Sequence, residues 1–216
     1  MESEILKYEQ DRVTQVQAEI ADQLAETTAK IATNAAERKK VEASYGDTAK
    51  VNLLEIDDAM ETNAAIQQQK QLVALVVENE TILNQREKNL KLLTKSPYFG
   101  RIDISEDGEQ ESLYIGTSTL INEADEFLVY DWRAPISELY YNGTLGQTSY
   151  QTPMGQIPVD LQLKRQFKIS GTTIEKMFDT NETIEDDILQ DVLSDESGTH
   201  MKNIVATIQQ KQNEII

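Results

Sequence analysis

The chain has no cysteine, one histidine, one tryptophan and four prolines among its 216 residues. The lack of cysteine excludes disulfides and thiolate zinc sites and suits a reducing cytoplasm. No run of about 18 apolar residues occurs, so we expect no membrane span. The N-terminus also lacks the basic and apolar regions of a signal peptide. These absences predict a soluble, cytoplasmic protein.

Basic residues are also in short supply, because 20 lysines and arginines stand against 38 acids, for a net charge of −18. Residues 1–96 hold 17 acids and 12 bases, whereas residues 97–216 hold 21 acids and 8 bases. Such a surface repels phosphate backbones, so we expect no direct nucleic-acid binding by this chain and an attraction to basic partner surfaces. The change in composition indicates two parts rather than one large domain.

The first part predicts two long helices. Proline and glycine are absent from Glu4 to Ala43, and an apolar stripe recurs there at Val13, Val16, Ile20, Leu24, Ile31 and Ala35. A second helix from Ile56 to Thr94 carries a heptad-like seam at Ile66, Val73, Val76, Leu83, Leu90 and Leu93. An antiparallel hairpin with coiled-coil packing, roughly 60 Å long, buries both stripes.

The hairpin reverses between residues 44 and 58, and this tip is acidic. Its candidate partner-binding residues are Asp47, Glu55, Asp57 and Asp58. These residues also favour turns and helix starts, so the sequence alone favours an ordinary solvated turn over a functional tip. The position at the end of a long hairpin keeps a functional tip open.

The second part predicts a small, mostly antiparallel β module. Its centre is Phe127–Tyr141, interpreted as two strands that Pro135 separates. Asp107-Gly108 predicts a hairpin turn, and the alternating run Ile157–Ile169 predicts a half-exposed strand in which Arg165 faces inward. The fold class is therefore α+β, with a hairpin over 1–96, a β-rich module over 97–180 and helices over 181–216. The chain ends on the apolar pair Ile215-Ile216, so we expect it to be part of a longer protein.

No enzyme site can be assembled from these residues. His200 has no accompanying nucleophile or phosphate loop, and Asp57-Asp58 and Asp186-Asp187 are neighbours that point about 100° apart on a helix. Asp131 and Arg133, on either side of a buried Trp132, are interpreted as a structural ion pair. We expect no catalytic residue and no metal site.

Five segments carry a more specific pattern, namely Ser96–Asp103, Tyr114–Gly116, Val129–Ile136, Leu163–Gln166 and Met201–Asn213. Together they resemble the N-terminal part of the HelD family, which are UvrD-related, helicase-like ATPases that associate with bacterial RNA polymerase. The resemblance covers the whole chain in order. From Ser96 onward the resemblance rests on specific residues, whereas over the hairpin it rests only on the architecture.

The resemblance implies that the hairpin enters the secondary channel of core RNA polymerase. It also implies that the whole protein uses ATP hydrolysis to release nucleic acid and recycle the polymerase. Ile208 and Gln212 then match the Q motif, in which the glutamine amide contacts adenine. We expect ATP and magnesium to bind in the parent protein and this chain alone to bind no cofactor.

Two other functions stay open at the level of sequence. In one, the coiled coil mediates homodimerisation and the chain is a structural scaffold. In the other, the chain is an accessory domain of a DNA helicase. Sedimentation separates the first from the polymerase-binding arm, because a scaffold dimerises with concentration whereas the arm is an elongated monomer.

Overall fold

The computed structural model describes residues 2–48 and 56–180, with side chains over 3–45 and 63–180. The α+β fold class is confirmed: two long helices precede a mostly antiparallel sheet of seven strands. The predicted helices over 181–216 lie outside the described residues, as do His200, Asp186 and Asp187.

The two predicted helices form with nearly the predicted bounds. Helix α1 spans Glu2–Thr48 and helix α2 spans Ile56–Lys95. The chain makes two compact units, which we call the sheet unit (Met1–Ala21 with Lys91–Ile216) and the hairpin unit (Asp22–Leu90). The predicted domain ranges 1–96, 97–180 and 181–216 stay a prediction.

Polar contacts show that the two helices of the hairpin unit are antiparallel. Arg86 donates to the side-chain oxygen of Gln23 at 3.2 Å, whereas Asn34 donates to the carbonyl of Val76 at 3.1 Å. Arg38 reaches Glu80 at 2.6 Å. An early residue of α1 therefore meets a late residue of α2.

The seam between these helices is more polar than the apolar stripe predicted. On α2 Val76 and Leu90 are buried, but on α1 the buried positions of the hairpin unit are Thr27 and Asn34, while Ala35 is exposed. Asn34 replaces Ala35 at the seam because its amide finds an acceptor in the backbone of α2.

The sheet has the order β3-β4-β2-β1-β6-β5, and β7 pairs with β6. Within the part of the chain that the structure describes, all strand pairings are antiparallel except that of β2 with β4. The strand bounds are β1 Gly100–Glu106, β2 Glu109–Gly116, β3 Leu120–Ile121, β4 Phe127–Asp131, β5 Gly146–Thr152, β6 Gly155–Ser170 and β7 Thr173–Asp179. The predicted hairpin turn is confirmed, since Asp107 and Gly108 both have positive φ, at 51° and 88°.

The prediction of a second strand at Ile136–Tyr141 is wrong. Pro135–Ser137 forms a 3-10 turn and Glu138–Asn142 forms the short helix α3. Pro135 suits the first helical position because it has no N–H to satisfy there. Leu139, Tyr140 and Tyr141 are all buried and belong to the core cluster of the sheet.

The interpretation of β6 as half-exposed is correct for one stretch and wrong for another. Its burial alternates through Val159 and Leu161, but the four residues from Lys164 to Phe167 are all buried. The sheet is covered on both faces there. One face carries the core of β-strand residues with Leu139 and Tyr140 of α3, and the other carries Tyr98, Tyr114 and Phe167.

Within the described ranges 2–48 and 56–180, neither long helix is apolar enough to cross a membrane.

We predict that Gly116→Ala destabilises the sheet unit by about 1–3 kcal/mol, the usual cost of overpacking a well-packed site. An added Cβ would lie 2.6 Å from the carbonyl oxygen of Pro97 and 2.7 Å from a methyl of Val129. Chemical denaturation measures the change. Met154→Ala is the control, because the Met154 side chain is fully exposed and its truncation should change stability by less than about 0.5 kcal/mol. Equal stability of the two variants would contradict the prediction.

Candidate functional site

The described residues bring together a buried ionic cluster where the first turns of α1 meet the sheet. Val13, Val16 and Ile20 have no exposed surface, and four residues before Val13 the same stripe continues with Glu9. Glu9 is also fully buried. A carboxylate therefore occupies a core position of the helix, which is stable only if it is paired and hydrogen-bonded.

Three groups of the sheet bind the carboxylate of Glu9. Arg101 on β1 donates to Oε1 at 2.6 Å, and Arg165 on β6 donates to the same oxygen at 2.8 Å. The hydroxyl of Tyr114 on β2 donates to Oε2 at 3.1 Å. Arg101, Tyr114 and Arg165 are paired across neighbouring strands, so the register of the sheet places them on one face.

Each arginine has a second carboxylate of its own. Arg101 binds both oxygens of Asp103, at 2.7 and 2.9 Å, and Arg165 binds both oxygens of Asp179, at 2.6 and 3.0 Å. Burial opposes the charge of Arg101, but the hydrogen bonds that it donates to Asp103 and the nearby negative charges still raise its pKa. The hydrogen bond that Arg165 donates to Asp179 raises the pKa of Arg165. Both arginines stay charged.

Aromatic rings pack beside the buried part of this group of charges. The rings of Tyr98 and Tyr114 lie 4.7 Å apart, and Tyr98 meets Phe167 edge-on at 5.4 Å. Arg12 of α1 lies over the ring of Tyr114 at 4.9 Å. Burial raises the pKa of both tyrosines, so both hydroxyls remain neutral at physiological pH.

Two glutamines of α1 hold the turn between β6 and β7. Gln10 donates to the carbonyl of Thr172 at 2.6 Å and accepts from the amide of Ile174 at 3.1 Å. Gln17 donates to the carbonyls of Gly171 and Thr94 at 2.7 and 3.0 Å. The side-chain amides of the two glutamines thus supply the hydrogen-bond partners that these backbone carbonyl and amide groups do not find in a neighbouring strand.

The arrangement can anchor a helix. Each charged group in the cluster has an ion-pair partner, three carboxylates facing two guanidinium groups, and among the described residues no group of three or more His, Cys, Asp or Glu side chains could hold a metal. We name Glu9, Arg101, Asp103, Tyr114, Arg165 and Asp179 the anchor cluster.

A second buried charge lies on the opposite face of the sheet. Lys164 is 1% exposed, and its ammonium donates to the carbonyl of Gly143, the residue that caps α3, at 2.9 Å. Burial lowers the pKa of Lys164 to about 8. The lysine holds the end of α3 at a cost in desolvation.

The predicted partner-binding acids are placed only in part. Asp47 lies in the last turn of α1, and Asp57 and Asp58 lie in the first turn of α2, while Glu55 lies outside the described residues. Gln212 also lies outside them. A role for these residues in binding a partner or adenine stays a prediction.

The other predicted pair forms as an exposed structural contact. Arg133 binds Asp131 at 2.6 Å, but the arginine side chain is 68% exposed and Trp132 is half-buried. Exposed pairs contribute little to stability.

Arg165 was predicted to face inward, and its partner Glu9 was missed. The signal was present, because Glu9, Val13, Val16 and Ile20 follow one another at steps of four, three and four residues. A stripe traced from its apolar members stops at Val13 and leaves out the charged residue at the next core position.

Two long helices, the first of which carries Glu9 into the anchor cluster, and a mostly antiparallel sheet of seven strands define an α+β protein. The model of the N-terminal domain of DNA helicase IV HelD matches residues 6–195. The chain belongs to this family, as the sequence resemblance indicated. No curated protein matches it. Arg101, Tyr114 and Arg165 of the anchor cluster lie in the segments that carried the resemblance.

We predict that Glu9→Gln lowers the free energy of unfolding of the sheet unit by about 3–5 kcal/mol, because it leaves two buried arginines without their shared charge. Urea denaturation followed by circular dichroism measures the loss. Asp11→Asn is the matched control, since Asp11 is exposed on the same helix and its loss should change stability by less than about 0.5 kcal/mol. A loss in Glu9→Gln no larger than in this control would contradict the prediction.

We predict that stability rises between pH 7.5 and 9.5 through Lys164. Its pKa is about 8 in the folded chain and about 10.4 in the unfolded one, so the unfolded state binds more protons in this window. The gain amounts to at most about 3 kcal/mol and should be absent in Lys164→Met. Denaturation midpoints of both proteins at each pH provide the measurement. A parallel pH dependence in the two proteins would refute the assignment.

Proposed function

We propose that this chain is the RNA polymerase-binding arm of a HelD-type, ATP-dependent, helicase-like protein. In this proposal, the hairpin unit enters the secondary channel of core polymerase, and the parent protein uses ATP to release nucleic acid and recycle the enzyme. The observation that carries the proposal is a two-helix hairpin within a chain of the HelD N-terminal family.

The geometry of the hairpin supports a probe for a narrow channel. Two packed helices have a cross-section of about 20 Å, because each helix with its side chains is about 10 Å wide. Contacts at Gln23, Asn34 and Arg38 join α1 to α2 along the unit. Such a pair is slender enough to enter a channel that excludes a globular domain.

The charge of the chain supports a protein target over a nucleic-acid target. With a net charge of −18, the molecule repels phosphate backbones and is attracted to basic protein surfaces. We assign Asp47, Glu55, Asp57 and Asp58 to the contact at the channel, where they either approach the catalytic metal of the polymerase or compete for its basic wall.

The anchor cluster supports the role of α1 as an arm that starts in the sheet unit. Helix α1 is continuous from Glu2 to Thr48, and Glu9, Gln10 and Gln17 bind its first turns to the sheet. One helix therefore contributes both the anchored residues and the first half of the hairpin. In the parent, we assign ATP and magnesium to a motor domain, with Gln212 contacting the adenine.

We predict that removing the outer part of the hairpin abolishes binding to core RNA polymerase while the sheet unit still folds. Residues 35–75 are deleted and Asn34 is joined to Val76 by a short Gly-Ser turn, because these two residues are already in contact. This deletion keeps all anchor-cluster residues, whereas a deletion of residues 1–96 would remove Glu9. Binding to purified core polymerase should weaken at least tenfold. Undiminished binding would contradict the proposal.

A second variant distinguishes a role in binding the polymerase from a role in its effect on transcription. In this variant, alanine replaces all four acids of the tip, namely Asp47, Glu55, Asp57 and Asp58. If this variant binds as tightly as the wild type but loses its effect on transcription, the acids act at the polymerase centre. If it fails to bind, they are part of the docking surface.

A further inference from the structure

Two stacked aromatic rings lie at the exposed start of β4. The ring centroids of Phe127 and Tyr130 are 4.9 Å apart, and the two ring planes are inclined by only 16°. Phe127 is 49% exposed, and Ile121, which pairs with it on β3, is 36% exposed. A single exposed apolar residue needs no explanation, but an aromatic pair beside an isoleucine makes an apolar patch typical of a contact surface.

Three glutamates of the β1–β2 hairpin lie on the same face of the sheet as Tyr130. Glu109 and Glu111 precede buried Leu113 on β2 at steps of two residues, and Glu106 pairs with Glu109 across the hairpin. Strand alternation therefore directs all three side chains to the face that carries the core. The hydroxyl of Tyr130 donates to the carboxylate of Glu111 at 3.4 Å, which joins the glutamates to the aromatic pair. We name Glu106, Glu109, Glu111, Phe127 and Tyr130 the aromatic–acidic surface.

Within the described part of the chain, no cation compensates the negative charge of this surface. Residues 102–132 hold nine acids and no lysine, arginine or histidine. The three arginines that border this stretch all have other partners. Arg12 donates to the carbonyl of Leu128, Arg101 binds Asp103 and Glu9, and Arg133 binds Asp131.

The concentration of glutamates does not stabilise the fold. Glu106 and Glu109 stand directly opposite each other in the hairpin, and like charges in that position destabilise a sheet. Burial, followed by the charge of Glu111, raises the pKa of Tyr130 to about 12. Burial and the charges of Glu106 and Glu111 also raise the pKa of Tyr150. A cationic partner would relieve this repulsion.

The combination of aromatic faces and carboxylates favours arginine over other cations. The planar guanidinium stacks on an aromatic ring and donates two parallel hydrogen bonds to a carboxylate, whereas the ammonium of lysine is a strongly hydrated point charge. One such contact at an exposed site is weak, so binding needs several basic residues on one segment rather than a free small cation. A second copy of this chain fits poorly, because each copy carries a net charge of −18.

We infer that the aromatic–acidic surface docks an arginine-rich segment of another protein. One arginine of that segment stacks on Phe127 and Tyr130, and neighbouring basic residues pair with Glu106, Glu109 and Glu111. The surface belongs to the sheet unit. The inference therefore does not depend on whether the hairpin unit binds RNA polymerase, and its test uses no polymerase.

The test measures the binding of dye-labelled peptides to the whole chain by fluorescence anisotropy. One peptide alternates arginine with glycine, and the other has lysine at every arginine position. We expect the arginine peptide to bind about threefold more tightly, which is the advantage of stacking on an exposed ring. Phe127→Ala should remove this preference, and Phe127→Tyr should keep it. Leu145→Ala is the matched control, because Leu145 is an exposed apolar residue of the same unit, at 37%, and its loss should change neither affinity.

A second pair of variants tests the charge in about 0.1 M salt, where exposed charges more than about 10 Å apart are largely screened. Glu109→Gln/Glu111→Gln should weaken the binding of both peptides at least about threefold. Glu37→Gln/Glu78→Gln is the control, because it changes the net charge equally at exposed residues of the hairpin unit, and it should leave binding unchanged.

Three results would overturn the inference, and none of them bears on the proposed function. Equal weakening by the two charge variants would show that only the overall charge of the chain attracts the peptides. An unchanged preference for arginine in Phe127→Ala would show that the aromatic pair is not the contact. The third such result is a wild-type chain that binds neither peptide or binds both equally.

Discussion

Glu9 has no contact with solvent, although it carries a charge, and the sheet unit depends on how that charge is compensated. Two arginines and a tyrosine from three strands share its two oxygens. Such clusters contribute little net stability over an apolar core, since desolvation offsets the attraction, but removing one member is costly. We infer that the cluster specifies geometry: only one register of α1 lets Glu9 reach Arg101 and Arg165 together.

Buried polar side chains with hydrogen-bond partners also occupy other core positions. Gln17 binds two carbonyls beside the β6–β7 turn, Asn34 binds the backbone of α2, and Lys164 binds the cap of α3. A leucine at any of these sites could slide by one turn with little loss, whereas a hydrogen-bonded polar group cannot without leaving a buried group unsatisfied. Buried polar contacts thus fix where α1 lies on the sheet and where α2 lies against α1.

Sequence patterns predicted the elements whose signals are local. The long helices follow from periodicity and from the absence of proline and glycine, and the β1–β2 hairpin follows from Asp107-Gly108. Helix α3 was mistaken for a strand because a short apolar run has no period of its own. The inward position of Arg165 was predicted, and the helical stripe could have indicated that Glu9 is buried, but their pairing spans 156 residues and no local pattern records it.

The account depends on direct coupling between Glu9 and the arginines of the sheet. A double-mutant cycle with Glu9→Gln, Arg165→Met and both changes together measures that coupling from three free energies of unfolding. The account predicts that the double variant is at least about 1 kcal/mol more stable than the sum of the single losses implies. Additive losses, within about 0.5 kcal/mol, would show that Glu9 and Arg165 act independently and would contradict it.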